Sequence, residues 1–179
     1  MQPLLPEFER EFRRHKSAAD RALAALDDAD FFRRPGTQVN PIALIVKHLG
    51  GNLASRWTDF LTSDGDKPGR DRDAEFVLSD RDTRAALNEA WENGWRAVFE
   101  TVTALRETDF DRTVTIRGEA HTVLQALLRS ATHAAYHAGQ ILYVARMLRP
   151  DAPWLTIAPG GSGSHATGRY LVKPRHEGP

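Results

Sequence analysis

Apolar side chains recur at three- and four-residue steps in long separate stretches, and that periodicity leaves few folds open. Leu4, Leu5, Phe8, Phe12, Ala18, Ala19, Ala22, Leu23 and Leu26 form one stripe. Ile42, Ile45, Val46, Leu49, Leu53, Trp57, Phe60 and Leu61 form a second, and Leu87, Trp91, Trp95, Val98, Phe99, Val102 and Leu105 a third. A fourth amphipathic stretch runs from Val123 to about Leu148 and stops before Pro150. Positions i, i+3 and i+4 share one side of an α-helix, so each stretch predicts a helix with one face buried. Four such helices bury their stripes against one another, which predicts an all-α four-helix bundle over residues 1–158.

The punctuation between the stripes sets the expected boundaries. Asp27-Asp28-Ala29-Asp30 breaks the first pattern, and Phe31 to Gly36 reads as a loop closed by Pro35-Gly36. Asn40 is a good helix cap, and Pro41 suits the first helical position. Ser63 to Asp66 ends the second helix. The charged connector that follows, Lys67 to Asp73, predicts a long crossover rather than a tight turn. Ser79, with Asp80 and Asp82 behind it, reads as the start of the third helix. Gly94 within that helix predicts close packing, because it costs roughly 1 kcal/mol against alanine. The β-branched run Arg112 to Ile116 predicts one short extended segment ended by Gly118. Thr122 and Gln125 pair as a capping box for the fourth helix. Trp154 and Ile157 could pack back onto the bundle, and residues 159–179 read as a flexible tail.

Composition narrows the chemistry. No cysteine is present among the 179 residues, which excludes disulfides, thiolate ligands and a cysteine nucleophile. Basic and acidic residues balance at 24 each, so no global charge draws the chain toward nucleic acid or an anionic membrane. The N-terminal stretch turns charged too quickly for a signal peptide, and no apolar run approaches the ~20 residues needed to cross a bilayer. The expectation is a cytoplasmic protein with a small-molecule substrate, no nucleic-acid partner and no membrane.

Of seven histidines, only His133 and His137 sit four apart in the middle of a strong helix. That spacing puts both imidazoles on one side, one turn apart, where they could bind one metal. A surface pair or a satisfied core pair has the same spacing. The intervening Ala134, Ala135 and Tyr136 lack the glutamate of HExxH metalloproteases. Ser130 and Gln140 lie on the histidine side, and Leu124, Leu128, Ala131, Ala135, Ala138 and Leu142 form an opposite side where a neighbouring helix could approach. On the second helix His48, Asn52, Ser55 and Asp59 make one polar line bordered by Arg56. It reads either as a solvated face or as a patch that meets the histidine pair and completes a three-histidine site. Three protein ligands would leave a position open for water or substrate. His15 reads as a partly buried packing residue and His121 as a residue at a helix start that could border the site entrance. His165 and His176 fall in the tail.

The segment from Lys47 to Lys67, KHLGGNLASRWTDFLTSDGDK, with Arg70 to Asp73 after it, resembles a domain-of-unknown-function branch of the DinB/YfiT-like superfamily. So does the segment from Thr113 to Ile141, TVTIRGEAHTVLQALLRSATHAAYHAGQI. The resemblance implies a four-helix bundle with a long crossover and a metal held by His48, His133 and His137. It also implies a homodimer. Better-understood relatives include bacillithiol-type S-transferases and a mycothiol-dependent maleylpyruvate isomerase, which activate a low-molecular-weight thiol.

On that basis the first reading is a divalent-metal-dependent S-transferase or related enzyme, with zinc the first choice ahead of nickel or iron. With no cysteine in the chain, an attacking thiolate would come from a cosubstrate. Asn52, Arg56 and Tyr136 are the candidate substrate-binding residues. Arg56 could pair with a cosubstrate carboxylate, or with Asp59 or Glu75 structurally, and Tyr136 could line the pocket or fill core. A metal-dependent hydrolase and a non-catalytic metal or small-ligand binding module are the alternatives.

Overall fold

The structure, a computed structural model, describes residues 3–153. Expectations for Trp154, Ile157, His165, His176 and the tail at 159–179 lie outside the described residues. The helices are α1 (Leu5–Ala24), α2 (Asp28–Phe32), α3 (Ile42–Trp57), α4 (Arg84–Ala104) and α5 (Val123–Leu148). Strands β1 (Thr113–Ile116) and β2 (Glu119–Thr122) pair antiparallel between α4 and α5. The four long helices form the bundle, and no helix among the described residues is long and apolar enough to cross a membrane.

Cross-helix contacts fix the directions. Residues rise together on α3 and α4: Lys47 meets Asp82, Gly50 meets Ala90 and Gly94, and Trp57 O accepts from Thr101 Oγ1. Those two helices are therefore parallel, and residues 58–83 must travel back along the bundle, the crossover expected from the connector's length. Helix α1 runs against α4, with Lys16 on Glu92 and Trp91 Nε1 donating to Asp20. Helix α5 runs against α3, with Trp57 Nε1 donating to Ser130 Oγ and His133 beside His48.

Helix α3 is central: twelve of its 16 residues are buried, among them Ile42, Val46, Leu49, Leu53 and Trp57. Its contact with α4 is backbone to backbone. A Cβ on Gly94 would lie 2.6 Å from Gly50 O, and one on Gly50 would lie 3.0 Å from Ala90 O. Phe12, Trp57, Trp91 and Trp95 fill the centre edge to face, with Phe12 and Trp57 ring centroids 5.6 Å apart.

Several boundaries differ from the sequence reading. The stretch at 27–32 is not a break and loop but a short helix, because the Asp27 carboxylate caps it by accepting from Asp30 N at 2.8 Å. Helix α3 is capped by Pro41 in an extended conformation, while Asn40 caps nothing. It ends at Trp57 rather than Leu61, since Asp59 turns left-handed at φ 49° and receives the amides of Thr62 and Ser63. Helix α4 starts after Thr83, not Ser79. The Asp82 carboxylate takes up Ser79 N, Ser79 Oγ and Lys47 Nζ, so 79–82 is a turn tied to α3, and Thr83 Oγ1 caps the helix instead.

The single extended segment is a hairpin whose two-residue turn, Arg117-Gly118, has φ of 59° and 75°. That double left-handed turn matches the twist of the strands. Asp64 holds it by accepting from Arg117 N and Gly118 N, each at 2.8 Å. On α5 the deep positions are Leu127, Ser130, Ala134, Ala138 and Ile141. The side read as a packing face is buried in part: Ala138 is deep and Ala131 and Leu142 pack against the core, but Leu128 stands exposed, as do Tyr136, Tyr143 and Met147 along the outer surface.

Candidate metal centre

Helix α5 packs closely on α1 and only loosely on α3, and the looser seam holds the histidines. One ring nitrogen from each of His48, His133 and His137 lies within 4.8 Å of the other two. His133 Nε2 is 3.0 Å from His137 Nε2 and 3.4 Å from His48 Nε2. Two nitrogens bound tetrahedrally to one zinc at ~2.05 Å would be ~3.3 Å apart, so these separations fit three ligands around a single ion.

The outer partners set the tautomers. Glu75 Oε2 can only accept, so His48 Nδ1 donates to it at 2.8 Å, and in the neutral ring Nε2 carries the lone pair. Gln140 Oε1 does the same for His137 Nδ1 at 2.7 Å. A proton on His133 Nε2 could satisfy only one of the two lone pairs it faces, whereas a cation satisfies all three. Burial, and then the neighbouring His137 and His48, pushes the His133 pKa down to about 3. Burial also lowers the pKa of His137. Both rings are therefore neutral near pH 7, the form that binds metal.

The crossover supplies the outer wall. A 3-10 turn at Ala74–Phe76 sets the Glu75 carboxylate on His48 and stacks the Phe76 ring on its face, with centroids 4.6 Å apart. Arg70 holds Glu75 from behind through Nε at 2.7 Å and Nη2 at 2.8 Å. These contacts keep Glu75 ionised despite its burial, and its pKa is lowered. The Gly50-Gly51 pair beside His48 makes room on two sides. Gly50 admits α4, and a Cβ on Gly51 would meet Glu75 Oε1 at 2.7 Å.

The polar line on α3 is not a solvated face. Asn52 is 6 % exposed and Ser55 8 %. Ser55 Oγ donates to Gly65 O and accepts from Lys67 N, tying down the start of the crossover. Arg56 is also 6 % exposed and pairs with neither Asp59 nor Glu75, since Asp59 has left the helix and Glu75 is committed to His48 and Arg70. Tyr136 does not fill core: it is 64 % exposed, with its ring edge-on to His137 at 5.4 Å. His15 is half-buried beside Glu11, and burial lowers its pKa. His121 lies at the hairpin's end, accepting from Arg129 Nη1 at 3.1 Å.

A cleft of about 310 Å³ next to the cluster is lined by Val39, Asn40, Ile45, Gln140 and Tyr143, among others, and shares Gln140 with His137. A hollow of about 350 Å³ between Phe60 and Leu105 lies away from the histidines. The sequence offered Glu75 only as a structural partner for Arg56, and its place on His48 was missed. No local pattern marks it, and only its place in the crossover, 27 positions from His48, brings it to the imidazole.

Fold and cluster together define a four-helix bundle with one crossover and a convergent three-imidazole site. The chain belongs to the family described as "Protein of unknown function (DUF1572)", whose model matches residues 1–161. It is also similar to a solved structure titled "Crystal structure of the conserved protein of locus from Enterococcus faecalis". The two share 13% identity and a TM-score of 0.62 over 84% of this chain and 100% of that one, a likeness of fold. No curated protein matches the chain.

Proposed function

We propose that this chain is a divalent-metal-dependent enzyme of the DinB/YfiT-like type, with His48, His133 and His137 as the ligands of one ion, zinc first. The observation that carries the reading is the convergence of three ring nitrogens with two of the rings oriented from outside, by Glu75 and Gln140. Oriented imidazoles of this kind recur around metal sites because the outer hydrogen bond fixes the ring and raises its basicity. Among the described residues no carboxylate joins the three histidines, which favours an open site over a closed storage site.

The bound ion would supply Lewis acidity, lowering the pKa of a thiol or water beside it. The chain's own residues bind and orient. Asn52, buried between the levels of His48 and Arg56, would hydrogen-bond a reactant, and Arg56 would pair with an anionic group on it. Glu75 is held by His48 and Arg70 and so is not a free base, which favours a nucleophile arriving already acidic, such as a low-molecular-weight thiol in S-transfer, over hydrolysis.

Elemental analysis of untagged protein, purified without added metal or chelator, tests the site alongside His48→Ala. About one ion per chain in the parent and little in the variant is the expected result. Equal metal in both would refute the assignment.

A further inference from the structure

The second feature of the α3–α5 seam is a group of arginines from four separate segments. Arg56 lies on α3, eight residues and about 12 Å of helix rise beyond His48. Arg129 lies on α5, one turn before His133. Arg117 stands at the hairpin tip and Arg70 in the crossover. Gly65 joins two of these segments, since a Cβ on it would lie 3.5 Å from both Arg56 Cγ and Ile116 Cγ1, the neighbour of Arg117, and Trp57 beside Arg56 donates to Ser130 beside Arg129. Burial first, then the charges of Arg129, Arg70 and Arg117, lower the Arg56 pKa to about 10, with Asp66 opposing them.

The local acids are already committed. Glu75 is held by His48 and Arg70, and Asp66 by Arg72, with Arg70 at 3.7 Å. The Arg56 side chain donates no hydrogen bond to any described residue, and its buried Nε is without a partner. A Cβ on Gly65 would lie 3.5 Å from Arg56 Cγ, so the stem runs beside the crossover backbone and the orphaned nitrogen is the inner one, Nε. A largely buried cation with no ion-pair partner is costly in the folded chain unless something else pairs with it.

We propose that Arg56, Arg117 and Arg129 form a subsite for a dianionic oxyanion group, a phosphate or paired carboxylates, on a small-molecule ligand. The planar fork of a guanidinium matches two oxygens of such a group, and three cations from α3, the hairpin and α5 exceed what one carboxylate would balance. Arg117 and Arg129 are exposed and admit the ligand from solvent, while Arg56 forms the floor. The subsite adds a substrate class to the reading above without resting on the metal.

Titration calorimetry with inorganic phosphate tests it, using the full chain stripped of metal, dialysed free of chelator and kept at constant ionic strength with chloride. One phosphate per chain is expected, with binding weakened at least tenfold in Arg56→Met and several-fold in Arg117→Gln and Arg129→Gln. Arg96→Gln, on the outer face of α4, should bind like the parent. Succinate in place of phosphate separates paired carboxylates from phosphate as the preferred form. Arg56→Met should also melt at a higher temperature than the parent without ligand, since it removes an unpaired buried charge, and phosphate should no longer raise its melting point. Loss of stability in Arg56→Met together with undiminished phosphate binding would overturn the proposal. Should that variant not fold, parent-like binding in both exposed variants would overturn it equally, as would the absence of phosphate and succinate binding by the parent.

Discussion

Helix α3 meets two neighbours in opposite ways. Toward α4 it presents Gly50 and Leu53, and the backbones touch through Gly94 without room for a methyl group. Toward α5 it presents His48, Asn52 and Arg56, and the helices stand apart by the width of imidazole rings. The first seam is apolar and close-packed, so its energy comes from dispersion and water exclusion. The second encloses polar groups whose partners come from the crossover and from α5 itself. One helix can serve both because the tight seam fixes its position, and the loose seam can then hold chemistry without also holding the fold together.

That contrast can be broken from either side. Gly94→Val should have the largest effect. Its branched side chain meets Gly50 O, a backbone atom that cannot rotate away, and destabilisation of roughly 3 kcal/mol is expected from the shift in the denaturant midpoint. Glu75→Gln acts on the other seam. It keeps the shape but weakens the hold on His48, so metal affinity should fall roughly ten- to a hundredfold in a competition titration, with the helical circular dichroism retained.

The smallest effect separates the seams by pH. His133 and His137 have folded pKa values below the ordinary histidine value. As pH falls below about 6.5 the unfolded chain takes up protons that the folded chain refuses, and stability falls with it. The metal-free protein should lose roughly 1 kcal/mol between pH 7.5 and 6 in urea unfolding, and His133→Gln should lessen that slope while His137 and His15 keep theirs. The α3–α4 contact carries no titrating group at the glycines and should not contribute.

The helices were legible because their stripes are long. Leu87, Trp91, Trp95, Val98 and Val102 are buried as their spacing implied, and so are Ile42, Val46, Leu49 and Leu53. Their ends were less so, since Ser79 is as good a cap as Thr83 until Lys47 claims Asp82 from across the bundle. The three histidines could be singled out because helical spacing gathers His133 with His137 and sets His48 on a polar line. The partners of those histidines divide along the same principle. Gln140 lies three residues from His137 on its own helix, whereas Glu75 reaches His48 only through the path of the irregular backbone between α3 and α4. Periodicity describes neighbours on one helix and says nothing of where a connector returns.

The parallel setting of α3 and α4 also bears on the order of folding. Neighbours joined by a short turn can pair as soon as both are helical, but this pair must first close a long, irregular loop, whose entropy is lost before any contact rewards it. The Glu75 turn lies within that loop, so its hold on His48 requires the loop to fold back along α3. On the proposed reading, the three histidines are gathered for an ion only once α3 and α5 are packed together. A nascent chain would accordingly be a poor scavenger of stray ions, and metal selection would fall to the finished bundle.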